Sequence, residues 1–410
     1  MTRAVDALVI GAGPAGSATA ILLARAGWEV VLVEQDVYPR RKVCGECVGA
    51  AGLALLDELG IGAGVRAHAG PELRDVGFMS QAATVIADFP PVATGPYRYG
   101  RALRREHLDK LLVDRAAATG VQVMQPVRVR AVHPSRDAFR CDLAGRDAAS
   151  HVSVFATVVI DAHGSWQRGA MVPDAQALRR PRRASDLFAF KVVLRHASLR
   201  PGLLPVMALP GGYGGMVVAD DQLTTLACCL RRDVLAVCRA AAPGLAVGEA
   251  VEAWLRRHCL GVREALDGAV RAGAWLTVGP LDPGTRRPAS PLFRVGNSAG
   301  ESHPLIGEGI GMALQSAALL AGQLGRCSPA GLDRQHAQRR YAAAWHREFS
   351  QRMRMAALYA QVAMRPGLTG PSRTLMRQWP GLLTRSARLA GKTRPSVSIQ
   401  LPQEISHEHA

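Results

Sequence analysis

The sequence predicts an α/β protein: a Rossmann-type nucleotide-binding domain, an interleaved antiparallel-sheet domain and a C-terminal helical segment. Three observations carry this. The first 34 residues read strand, glycine turn, helix, strand; the middle of the chain has runs with strand period; the last eighty residues have helical period broken by prolines.

The opening "AVDALVIGAGPAGSATAILLARAGWEVVLVE" predicts a strand over 5–10, a helix over 14–26 stopped by Gly27, and a second strand over 28–34. Gly11, Gly13 and Gly16 form G-x-G-x-x-G. The first allows the tight turn and the second lets backbone approach a pyrophosphate; the third lets helix pack on strand, and the helix N-terminus, with Pro14 and Ala15 in its first turn, offers free N–H groups to phosphate. Glu34 closes the second strand, where its carboxylate can accept hydrogen bonds from both ribose hydroxyls of an ADP group. It would repel a 2′-phosphate, which argues against NADP in this particular site. FAD and NAD share the fingerprint, so it does not choose between them.

Next comes "RRKVCGECVG" (40–49), whose Cys44 and Cys47 have the C-x-x-C spacing of a redox dithiol or half a zinc site. A zinc site needs about four ligands, and the sequence offers no second C-x-x-C or paired histidine, so no metal is expected. "LRREHLDKLLVDRAAATGVQV" (103–123) reads as a helix with Leu108, Leu111 and Leu112 facing the core, and "TVVIDAHGSWQRG" (157–169) begins as a strand. The runs at 187–196, 205–221 and 223–233 read as antiparallel strands, and 247–268 follows with helical period. The segment 292–321 reads as a short strand ending at Gly296, a polar turn, a loop over 304–309 and a long helix.

The totals exclude several classes. A chain of 410 residues suits two or three lobes, and 48% hydrophobic with 20% charged residues is the composition of a folded globular protein. The eight cysteines have no disulfide rhythm, and Arg3 and Asp6 interrupt what would be a signal core, so reduced thiols and a cytoplasmic location are expected. A net charge of +17 invites nucleic acid, but aromatics are only 5% and the arginines are spread, so no nucleic-acid partner is expected. The arginine-rich apolar helices of the tail, as over 339–364, have two readings: a packed helix with a solvated basic face, or docking on a membrane surface.

Four segments in order, the glycine turn, the Arg105 helix, "DAHG" and "GNSAG…GEG", resemble the geranylgeranyl reductase and group A flavoprotein monooxygenase superfamily. The resemblance implies FAD as cofactor and NAD(P)H as probable co-substrate, and covers nearly the whole chain. It implies a discontinuous FAD-binding domain (1–75, 101–175 and 276–330), a substrate domain (76–100 and 176–275) and a C-terminal helical region (331–410). Arg105 would reach the FAD phosphates or ribose, Asn297 the ribitol chain, and the Gly307-Glu308-Gly309 turn would bring helix amides to the flavin pyrimidine edge. Most hydroxylases have Asp at the Asn297 position. His163 replaces the Asp usual before Gly164, and reads either as a hydrogen-bond donor beside the pyrophosphate or as a satisfied buried histidine. Gln35, Val129, Pro304 and Ile310 complete the expected cofactor set.

Within the opening C-x-x-C, Lys42, Cys44 and Gly45 match the superfamily's Lys-x-Cys-Gly loop, which reaches the isoalloxazine. Cys47 then falls on the following helix with no redox role. The W-x-W-x-I-P run of flavin halogenases is absent, and glycines stand in "GGYGGMVV" where the reductases carry a bulky clamp, although Tyr213 remains. These forms resemble a bacterial branch associated with aromatic polyketide-like lipid products. They imply a monooxygenase of secondary metabolism that hydroxylates a phenolic or lipid-like substrate with O2 through a flavin C4a-hydroperoxide. The alternatives are a double-bond reductase or dehydrogenase of the geranylgeranyl reductase type, and a non-catalytic basic flavin-fold docking protein. Tyr213 and Cys228 are the candidate substrate contacts, with Cys229 and His303 as further pocket groups; no catalytic acid or base is assigned.

Overall fold

A computed structural model describes residues 3–145, 151–165, 181–285 and 291–390. Trp166, in the 157–169 segment, lies outside the described residues.

The first strand, Arg3–Ile10, is central because its apolar residues meet sheet on both edges. It pairs in parallel with Val30–Val33 on one side and with His151–Asp161 on the other. Gln122–Met124 and Phe293–Arg294 extend this parallel set, and Phe139–Ala144 and Arg128–Pro134 add an antiparallel edge. Helix Pro14–Arg25 is rich in Ala, Gly, Ser and Thr and buries every residue from Pro14 to Leu23. That closeness needs glycine: a Cβ on Gly16 would stand 1.8 Å from the Gly11 carbonyl oxygen. Helix Gly309–Leu324 packs beside it in the same core.

The second sheet has eight strands. In spatial order, Thr84–Asp88, Asp75–Met79, Leu203–Leu209, Gly212–Val218, Thr224–Arg231 and Leu187–Arg195 lie side by side, and Val270–Arg271 and Leu276–Leu281 both pair with the last. Its outer face is covered by helices Arg232–Ala241, Val247–His258 and Leu260–Ala265. Its inner face packs against residues of the C-terminal helices Arg334–Ala363 and Gly381–Leu389. Helix Pro366–Gln378 joins these two, and no helix among the described residues is long and apolar enough to cross a membrane.

Several expectations are corrected. The second strand covers only 30–33, and the helix expected over 103–123 runs Arg105–Ala118 before Gly120, at φ +86°, turns the chain into a strand. The stretch 205–221 is two strands, because Gly211 at φ +64° reverses the chain after Pro210. The helical stretch 247–268 breaks in two at Cys259, whose backbone is extended. The sheet is not wholly antiparallel, since Asp75–Met79 pairs in parallel with Leu203–Leu209. Strand Leu276–Leu281 was assigned to the cofactor lobe but hydrogen-bonds to Leu187–Arg195 of the second sheet. Cys47 lies not on a helix but in the two-residue strand Cys47–Val48, paired with Arg101–Ala102, and the helix begins at Ala50.

Between the cysteines, Glu46 is fully buried with φ at 61°. Its Oε1 accepts from the Arg105 amide at 3.0 Å and from Lys191 Nζ, and its Oε2 accepts from Thr225 Oγ1. Lys191 is itself 2% exposed and also donates to the Lys42 carbonyl at 3.2 Å. One buried ion pair therefore joins the loop over 40–49 to two strands of the second sheet. Removing one partner of such a pair leaves the other charged without compensation. Lys191→Met is expected to cost on the order of 3 kcal/mol, seen as a lower apparent Tm, whereas Lys191→Met with Glu46→Leu recovers most of the loss. A double variant no more stable than the single one would mean that the pair itself is not the source.

Candidate cofactor and active site

A cavity of about 410 Å³ runs between the two sheets, from the glycine turn to the C-terminal helices. At one end Gly11, at φ +97°, turns the chain so tightly that a Cβ there would stand 2.7 Å from the Ala162 carbonyl oxygen. Gly13 caps helix Pro14–Arg25 with no side-chain bond, and Gly13, Pro14 and Ala15 line the cavity. Gly16 does not; its part is to seat the helix against the turn. The guanidiniums of Arg105 and Arg40 lie 3.5 and 3.8 Å from where a Gly13 Cβ would stand, over the positive end of the helix.

These cations are held by carboxylates. Arg105 donates twice to the buried Asp109, both bonds 2.7 Å, and Arg40 bridges Glu34 and Asp36 at 3.0 and 2.8 Å. Burial alone would lower the Arg105 guanidinium, but Asp109 overrides it and holds the group above its ordinary value. Glu34 accepts from the Ala12 amide at 2.9 Å and the Asp36 amide at 3.0 Å, which fixes its carboxylate at the strand end beside the turn. Lys42 is pushed down to about 8 by burial and by repulsion from Arg40 and Arg105.

Gln35, Lys42, Cys44, Gly45 and Val129 line the cavity further in. Cys44 Sγ accepts from the Glu46 amide at 3.3 Å, and both cysteines of the pair are free thiols. Opposite, His163 and Gly164 form part of the wall, and His163 Nδ1 contacts Asp161 Oδ1. This partner accounts for the histidine locally. Asn297 donates its Nδ2 to Ser165 Oγ at 2.8 Å, and Ser165 donates to Glu301 at 2.9 Å. Pro304, Gly307, Gly309 and Ile310 close this side, with Gly307 left-handed at φ 59° so that helix Gly309–Leu324 starts at the cavity. Glu308 does not line the cavity; its buried carboxylate points toward Gly49.

The far end is largely apolar; its polar side chains include Tyr359, Ser386 and one hydrogen-bonded pair. Tyr213 Oη lies 3.0 Å from His303 Nδ1, and both line the cavity. Burial pushes Tyr213 well above the usual phenol range and His303 down to about 4, so both are neutral near pH 7. Strand alternation sends Cys228 into the helix-covered core beside Phe190 and Met216, so this predicted contact only edges the cavity. Cys229, pushed up to about 12 by burial, stands with Tyr213 on the cavity face. The remaining wall comes from the C-terminal helices: Tyr359, Met376, Leu383 and Ala387.

Sequence reasoning missed Arg40, Ser165, Glu301 and this helical wall. Arg40 stood in the quoted motif, two residues before Lys42, so its proximity to the glycine turn was open to inference; the wall had no local signal. Elsewhere His107, Asp220 and Asp221 group closely enough to suggest a metal. Arg104 already bonds both carboxylates, at 2.6 and 2.8 Å.

The donor set fits a dinucleotide: cations over a helix N-terminus, a fixed carboxylate at the next strand end and an apolar interior beyond. Residues 4–193 match the family model of the FAD binding domain. The match covers just under half of the chain and takes in the glycine turn, Glu34, Arg40, Lys42 and Arg105. Among curated relatives, the menaquinone reductase of Mycobacterium tuberculosis H37Rv is 37% identical over 131 residues, 31% of this chain and 30% of that protein. The match thus spans under a third of that relative's length. The menaquinone reductase of Mycolicibacterium smegmatis is 28% identical over 340 residues, 78% of this chain and 76% of the relative. The 6-methylpretetramide 4-monooxygenase of Streptomyces rimosus is 34% identical over 113 residues, 28% of this chain and 27% of the relative. Two solved structures share the fold. A myxobacterial chondrochloren halogenase has TM-score 0.74 and 20% identity, covering 94% of this chain and 91% of its own. A geranylgeranyl bacteriochlorophyll reductase-like protein of Thermoplasma acidophilum has TM-score 0.66 and 16% identity, covering 98% and 94%.

Against a bound dinucleotide, the depressed Lys42 would make affinity depend on pH. A dianionic ligand favours the charged amine, so affinity is full below about pH 8, where Lys42 is already protonated. It then weakens as pH rises, by up to about tenfold per unit for one coupled proton. Fluorescence titration of apoprotein with FAD from pH 6 to 10 checks this, and Lys42→Met is expected to flatten the profile.

Proposed function

We propose that the protein is a FAD-dependent monooxygenase that hydroxylates a phenolic ring with an apolar, lipid-like substituent, with NAD(P)H as electron donor and O2 as oxidant. The observation that carries this reading is the neutral Tyr213 and His303 pair at the largely apolar end of the chamber. When bound, FAD supplies the electron transfer and oxygen activation.

The chain's own residues bind and orient. Gly13, Arg40, Lys42 and Arg105 take the phosphates and Glu34 the ribose, while Asn297, Ser165 and the start of helix Gly309–Leu324 take the flavin end. With Nδ1 of His303 unprotonated, Tyr213 donates to it, and the Tyr213 oxygen accepts from a phenol hydroxyl. The pair orients one ring oxygen without placing a charge in the chamber, and Phe78, Phe89, Leu204 and Met376 exclude water around the rest. The overall reaction consumes one O2 and one NAD(P)H with a proton, and yields the hydroxylated ring, NAD(P)+ and one water.

A second reading, reduction of an isoprenoid double bond, is favoured by the similarity to the Mycolicibacterium smegmatis menaquinone reductase over three quarters of both chains. The two separate on oxygen. Supplied with NADH or NADPH and an alkyl phenol, the hydroxylase consumes O2 in step with product and is silent under nitrogen. Reduction of a prenylated quinone in the absence of O2, with no oxygenation of any phenol, would overturn the first reading. Tyr213→Phe is expected to raise KM for the phenol about five- to tenfold, the worth of one hydrogen bond, with a smaller change in kcat. With FAD saturating, activity is expected to stay flat through neutral pH and, on the acid side, to fall as pH approaches 4, where His303 gains its proton.

A further inference from the structure

Helix Pro366–Gln378 and the helix after it, Gly381–Leu389, have two different faces. Inward, Met376, Leu383 and Ala387 line the cavity. Outward, Leu368, Leu375 and Trp379 are 40%, 46% and 59% exposed, and Leu389 is 58% exposed. With exposed Pro371, the first three recur every three or four residues, so they form one apolar stripe along the first helix into the turn that follows.

The charges that this segment itself carries have one sign. Arg365, Arg373, Arg377, Arg385 and Arg388 belong to the same segment, and no Asp or Glu occurs over 349–390. The nearest carboxylate before it, Glu348, is already paired with Arg352. The exposed Asp88 meets the second helix where its carbonyl accepts from Thr384 Oγ1 at 2.8 Å, one carboxylate against five arginines. An exposed apolar stripe with a tryptophan, on a segment whose own charges are all cations, is complementary to an anionic lipid surface. The stripe enters the acyl boundary while each arginine near the headgroups adds attraction that salt screens. A self-contact through this segment would place like charges against one another.

We propose that helices Pro366–Gln378 and Gly381–Leu389 dock this protein on an anionic lipid bilayer through Leu368, Leu375, Trp379 and Leu389. The same two helices form the outer wall of the cavity, so docking sets that wall against the membrane. The proposal stands on this surface alone, whichever reaction the cavity performs.

The test uses the full FAD-loaded chain with sedimentable vesicles of phosphatidylcholine, with and without 30 mol% phosphatidylglycerol as the probe. Partitioning is expected to be at least about tenfold stronger on the anionic vesicles and to fall between 0.1 and 0.5 M salt. Leu375→Asp with Trp379→Ser, neither residue lining the cavity, is expected to abolish it while the flavin absorption spectrum stays unchanged. Trp379→Phe, which keeps the stripe apolar, is expected to retain it. Three results would each overturn the proposal: no partitioning on anionic vesicles, equal partitioning on both compositions, or no effect of the double variant. A dimer in gel filtration that the double variant dissolves, without vesicle binding, would assign the face to self-association instead.

Discussion

The geometry of this molecule depends on a carboxylate placed where water cannot reach it. Glu46 sits between two cysteines in a left-handed turn and gathers a backbone amide from the cofactor lobe, an ammonium and a hydroxyl from the second sheet. A buried charge tolerates few arrangements, because each lost partner returns much of the desolvation penalty. The loop that carries Lys42 and Cys44 therefore has a fixed height above the sheet that carries Tyr213. The depth of the chamber between them follows from it.

Along that chamber the electrostatic character changes in one direction. At the glycine turn, guanidiniums, a helix terminus and a carboxylate stand within hydrogen-bonding reach of one another. At the far end stand a phenol and an imidazole, both held neutral by burial. The cation at the boundary, Lys42, is pulled down to about 8 by burial and by the two guanidiniums. A ligand with a charged half and an apolar half has only one way to enter such a gradient.

What the sequence made legible was local. Gly11, Gly13, Gly16 and Glu34 could be read because turn, helix and strand follow within a few residues, and the spacing itself carries the geometry. The 205–221 stretch was misjudged at Pro210 and Gly211, where a turn signal lay inside a run that otherwise looked continuous. Leu276–Leu281 went to the wrong lobe because a strand of mixed burial carries no address for its partner. Cys47 was placed on a helix and Glu46 was passed over, although it stood inside the quoted motif. Its three partners come from residues 105, 191 and 225, and no window of sequence displays such a meeting. Met376 and Leu383 were unreadable for the same reason: helical period shows that a face is buried, not what it covers.

The wall formed by the last helices has a consequence for how the site comes into being. The chamber's first contributor is Ile10 and its last is Ala390, so almost the whole described chain separates the two. During synthesis from the N-terminus, the glycine turn and its helix exist long before the segment that shuts the opposite side. Until then the inner face of the second sheet, with Tyr213 and Cys229, stays open to the surroundings. A nascent chain in that condition holds an unfinished pocket with its apolar lining exposed, which is the state a chaperone or an early-bound cofactor would be suited to protect.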